Sequence, residues 1–99
     1  MSTQIVLSGP LERELLALTG KHAPSEAIRE LTVRELMRRK TAHSLCVARF
    51  EQKYGASFAD FDRSLHGKEP DAALEHDYME WELSVTALED INRELQSLS

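Results

Sequence analysis

The sequence predicts a mainly α protein, one short N-terminal strand followed by four helices, on three observations. None of the three prolines or four glycines falls within residues 25–54 or 71–99, which leaves both stretches free to be long helices. Apolar residues recur at helical steps through both. Before them, Thr3-Gln4-Ile5-Val6-Leu7-Ser8 is short, partly β-branched and followed by Gly9-Pro10, the signature of a strand.

In that strand Ile5 and Leu7 share one face, and Gln4, Val6 and Ser8 the other. Pro10 suits the first turn of a helix, where its missing N–H costs nothing. Leu11, Leu15 and Leu18 follow at helical spacing and Gly20 offers a left-handed stop, so the first helix is predicted over 10–19. Ser25 is the expected N-cap of the second, with Glu26 and Glu30 near its positive end. Ala27, Ile28, Leu31, Val33, Leu36 and Met37 carry its apolar pattern. Leu45, Val47, Ala48, Phe50 and Tyr54 extend it past the Arg38-Arg39-Lys40 run, giving one helix over 25–54, with a break at 40–42 as the alternative. Ser57 with Asp60 resembles a capping box for a short helix over 57–66. Pro70 opens the last, over 70–97, where Leu74, Tyr78, Trp81, Val85, Leu88, Asn92 and Leu95 step by four and three as a heptad seam.

Twelve Lys+Arg against seventeen Asp+Glu give a net charge of −5, which argues mildly against bulk adhesion to nucleic acid. The charge is unevenly placed: residues 1–40 sum to +2 and 41–99 to −7. Such a split suggests one end facing a polyanion and the other a basic partner. The Arg38-Arg39-Lys40 run is expected to complement the acidic final helix. A chain of 99 residues buries a limited share of its surface, so a second copy would help stabilise it. With no apolar run of membrane-spanning length and no charged-then-apolar leader, the cytoplasm is the expected location.

Catalytic chemistry finds little footing. Cys46 sits in an apolar pattern and reads as an inert thiol, despite His43 three residues earlier. His76 and Glu80 form a one-turn pair, but His22, His43 and His66 are scattered, so solvated side chains outweigh a metal. Asp60 and Asp62 lie on a short amphipathic helix, where a solvated face is the usual reason for them. No two glycines are close enough to form a phosphate loop. The expectation is a binding protein with no enzyme activity, no cofactor, no metal and no small-molecule substrate.

Strand, short helix, turn, helix is the ribbon-helix-helix order. The run TQIVLSGPLERELLALTGKHAPSEAIRELTVRELMRRK resembles the N-terminal module of VapB-type antitoxins, through the Ile5/Leu7 alternation, the leucine-rich helix ending Leu18-Thr19-Gly20, and Ser25-Glu26-Ala27-Ile28-Arg29. The resemblance covers about two-fifths of the chain. It implies an obligate homodimer whose strands pair in a DNA major groove, with Ile5, Leu7, Leu15, Ile28 and Leu31 dimerising. Gln4, Val6 and Ser8 would then face the bases, while Ser25, Glu26 and Ala27 at a helix N-terminus, with Lys21 and Arg29, hold a phosphate. Val6 departs from the family, which places a polar or basic side chain there. The chain divides on this reading into a dimerisation and DNA-binding module over 1–40 and an acidic helical arm over 41–99, itself only weakly similar to toxin-associated antitoxins. In the arm, Glu75, Tyr78, Glu80, Trp81 and Glu82 would cover the basic surface of a cognate toxin, unless Tyr78 and Trp81 pack against Leu45, Phe50 and Tyr54. The expected function is an antitoxin-like transcriptional regulator that binds operator DNA and a toxin. The alternative is a helical adaptor or scaffold subunit that binds no DNA.

Overall fold

The computed structural model describes residues 6–99, which form α1 (Gly9–Thr19), α2 (Pro24–Tyr54), α3 (Phe58–Ser64) and α4 (Ala72–Leu98). Among the described residues there is no strand. Val6 and Leu7 are irregular and Val6 is 90% exposed; Gln4 and Ile5 lie outside the described residues. Ser8, expected on the outer face of a ribbon, is instead the N-cap of α1, its oxygen accepting from the Leu11 N–H at 3.4 Å. A side chain so engaged ends the extended segment where the helix begins, and a strand without a ladder partner leaves its N–H and C=O groups unpaired. The expected fold class is corrected to all α among the described residues, and the ribbon-helix-helix resemblance is overturned with it.

Helix ends follow local chemistry. Pro24, not Ser25, opens α2; its N-cap is Ala23, which makes no side-chain cap, so Ser25 sits inside the first turn. Asp71, not Pro70, sets the start of α4 by accepting from the Leu74 N–H at 2.8 Å. Ser57 caps α3 through the Asp60 N–H, while the Asp60 carboxylate turns to Arg63 instead of closing a capping box. Gly20 and Gly55 end α1 and α2 at φ +68° and +65°, the left-handed conformation that glycine adopts without steric cost.

α2 passes unbroken through Lys40-Thr41-Ala42, so the expected boundary at 40/41 falls inside one helix. α4 packs back along it. Tyr54 meets Asp77, Phe50 meets Trp81 and His43 meets Ser84, so one number rises as the other falls and the pair is antiparallel. The inward residues of α2, namely Leu36, Lys40, His43, Val47, Phe50 and Tyr54, step by four and three. On α4 they are Trp81, Ser84, Leu88, Ile91, Leu95 and Leu98, so Ile91 takes the place expected of Asn92, which is exposed.

All six aromatic residues gather at one end. Phe50, Phe61 and Trp81 are buried, and Tyr54, Phe58 and Tyr78 pack against them. The other end is held by aliphatic contacts. α1 lies on α2, with Leu15, Thr19 and Ala27 buried, and Arg34 donates to the Leu18 carbonyl at the C-terminus of α1. The result is a rod of 59 × 27 × 20 Å with a radius of gyration of 19.5 Å, against about 13 Å for a compact chain of this length.

Candidate protein-docking site

The C-terminal end of α3 and the first turns of α4 enclose a notch of about 290 Å3, lined by Asp62, Leu65, His66, Pro70, Glu75 and Tyr78. α3 is there because Ser57 caps it and Phe61 anchors it beneath Trp81, with ring centroids 5.0 Å apart. That anchoring turns Asp62 toward α4, where the Tyr78 hydroxyl donates to its carboxylate at 2.8 Å. Tyr78 reports the local field. The bond to Asp62, burial, and the further carboxylate of Glu82 together push its hydroxyl up to about 12. The notch has apolar lining from Leu65, Pro70 and the Tyr78 ring, with the carboxylates of Asp62 and Glu75 and the His66 imidazole beside them. A Lys or Arg side chain has the matching halves, an aliphatic stem and a cationic head.

The expected partner-binding residues divide. Glu75, Glu80 and Glu82 are exposed and Tyr78 is half-buried, but Trp81 is fully buried and stacks on Phe50 and Tyr54, so it cannot anchor a partner. Leu45, expected beneath these rings, is 67% exposed.

The residues expected at DNA are also separated. Lys21, Glu26 and Arg29 line a concavity with Glu30 and Val33, which sets two cations against two carboxylates. Ala27 is buried, Ser25 exposed, and Ser8 and Val6 lie outside any ribbon. Of the expected dimer contacts, Leu15 is buried and Ile28 half-buried within the chain, while Leu31 is exposed; Ile5 is outside the described residues. Arg38 and Arg39 pair with Glu35 on their own helix, not with α4. Glu35 is held down to about 2 by hydrogen bonds from Arg38 and then Arg39.

Four long-range contacts between polar side chains went unread in the sequence. Asp62 holds Tyr78; Asp77 accepts from both Lys53 and Tyr54; and His43 Nδ1 lies 3.1 Å from Ser84 Oγ. The last is a hydroxyl beside a base, yet Ser84 is buried and α4 uses its backbone N–H in the helix. No acid is bonded to the ring among the described residues. The pair acts as a polar link between the two long helices. Among the described residues no group of three or more His, Cys, Asp or Glu is placed to hold a metal, and no helix is long and apolar enough to cross a membrane.

What fold and site define is an elongated helical hairpin with an acidic notch at its aromatic end. No family model matches the chain, and neither a curated protein nor a solved structure matches it.

Proposed function

We propose that this chain is a non-catalytic docking subunit that receives a basic segment of another protein in the notch between α3 and α4. The observation that carries the reading is the concavity itself, where Asp62, held by the Tyr78 hydroxyl at 2.8 Å, and Glu75 stand beside Leu65, Pro70 and the Tyr78 ring. Negative potential at an apolar-lined concavity selects a cationic side chain and speeds encounter with a basic partner. Glu75 and Glu82, exposed along the same side of α4, extend that field past the notch. A toxin with a basic active surface is one partner of this chemistry, and neutralising it needs only that the surface be covered; a ribbon in an operator is no part of the proposal.

The test is titration of the full chain with an arginine-rich helical peptide at low salt, followed by shifts of the Tyr78 and Glu75 resonances. Saturable binding is expected, weakened tenfold or more in Glu75→Lys with Glu82→Lys and lost at high salt. Equal binding by that double variant, or none by the wild type, overturns the reading.

A further inference from the structure

The opposite flank of the hairpin carries a different surface. There α2 and α4 leave a groove of about 450 Å3 lined by Cys46, Arg49, His76, Met79, Glu80, Leu83 and Ser84. It continues over the outer side of α4, where Met79 and Leu83 also border a second concavity with Glu82, Thr86, Ala87 and Asp90. Met79 and Leu83, one helical turn apart, are each 64% exposed, an apolar strip on this flank with something to cover.

We infer that a second copy of this chain covers it, the two hairpins packing flank to flank about a two-fold axis as an antiparallel four-helix assembly. Three arguments converge on this occupant. The first is charge. α2 carries seven bases against four acids and α4 one base against seven acids, so the two helices have opposite signs. A two-fold axis lays α2 of each copy across α4 of the other, which sets Arg49 and Arg38 toward Glu80 and Glu94 twice over. The second is area. The flank is about two helix diameters wide and, over residues 35–54 of α2, about 30 Å long. That offers about 600 Å2 per copy, or about 1,200 Å2 in all, the lower bound of specific interfaces. The third is the core. Only seven apolar residues are buried among the described residues, and the rod shape exposes more than a compact chain would; a second hairpin supplies the burial that one lacks. Arg38 is engaged only with exposed Glu35, a pair weak enough to exchange for a partner's carboxylate.

This interface leaves the Tyr78–Asp62 contact free, since Tyr78 is on the side of α4 that faces α3. The test is sedimentation equilibrium across concentration. The chain of 11.2 kDa is expected at twice that mass at about 100 μM. Leu83→Glu should sediment at the single-chain mass with its helical circular dichroism intact. Should Leu83→Glu fail to fold, Arg49→Glu provides the second reading. It should weaken association at least tenfold, and adding Glu80→Arg should restore it. A wild-type chain that stays at 11.2 kDa throughout overturns the inference and leaves the groove to a different partner. A dimer indifferent to both Leu83→Glu and Arg49→Glu overturns it equally, because its contact then lies elsewhere.

Discussion

Phe50 and Trp81 stack across the two long helices with ring centroids 5.6 Å apart and planes inclined by 19°. Four rings touch the indole, those of Phe50, Tyr54, Phe58 and Phe61, and among the described residues it is the one large side chain with no exposure. Its Nε1–H is buried without an acceptor. Apolar burial there is opposed by an orphaned donor, a debit of about 1–3 kcal/mol. Trp81→Phe deletes the donor and keeps a ring in the stack, so its two effects oppose one another. Urea unfolding followed by circular dichroism should place it within about 1 kcal/mol of wild type. Trp81→Ala has no such offset and should cost about 3–5 kcal/mol.

Asp77 supplies a pH dependence whose sign is fixed. Hydrogen bonds from Lys53, then Tyr54, hold its carboxyl below the usual 3.8. A carboxylate more acidic in the folded state stabilises above its unfolded value, and that contribution disappears as pH falls through the folded one. The melting temperature should be flat from about pH 5 to 8 and fall below about pH 4. Asp77→Asn should melt lower at neutral pH and lose part of the acid drop. Glu35 is displaced in the same direction by exposed partners, so 0.5 M salt should remove its share and that of the exposed Lys53 at Asp77, sparing the part-buried Tyr54 bond.

Helix positions were legible because they rest on local rules. Gly20 and Gly55 stop α1 and α2, Ser57 caps α3, and heptad spacing marks the inward face of α4. The strand is not found over Val6–Ser8 because a short β-branched run carries no fixed pairing, and the competing role of Ser8 as a cap decides that stretch. The notch was half legible. Glu75 and Tyr78 stood out on an acidic aromatic helix, whereas Asp62 read as a solvated acid, because its bond to Tyr78 depends on how α3 folds back onto α4. Trp81 was offered both as anchor and as packing. Periodicity places a ring on the inward side, but only the partner helix shows how completely it is covered.

Gly55 joins the two halves of the aromatic cluster. Its φ of +65° ends α2 one residue after Tyr54, and a Cβ added there would meet nothing within 4 Å. Any cost of Gly55→Ala is therefore backbone conformation and not a clash. The substitution should destabilise by about 1 kcal/mol in chemical denaturation without changing the contacts of Tyr54 or Phe58 seen by NMR.

The His43–Ser84 contact places a polar layer in an otherwise apolar seam, with half-buried Lys40 one turn away on α2. One polar contact in such a seam fixes how the helices slide past each other, because sliding by a turn leaves both groups without a partner. Ser84→Ala deletes one side and should destabilise by about 1–2 kcal/mol, the ring nitrogen being left in a half-buried site. Replacing both, His43→Leu with Ser84→Leu, restores apolar packing and should match or exceed wild-type stability. The informative readout is register. In the double variant, contacts between α2 and α4 measured by cross-linking at Leu36 and Ile91 positions should broaden to neighbouring turns, while wild type and Ser84→Ala keep one alignment. A double variant as well ordered as wild type would mean that the aromatic cluster of Phe50, Tyr54 and Trp81 sets the register alone, and that the polar layer does no more than satisfy itself.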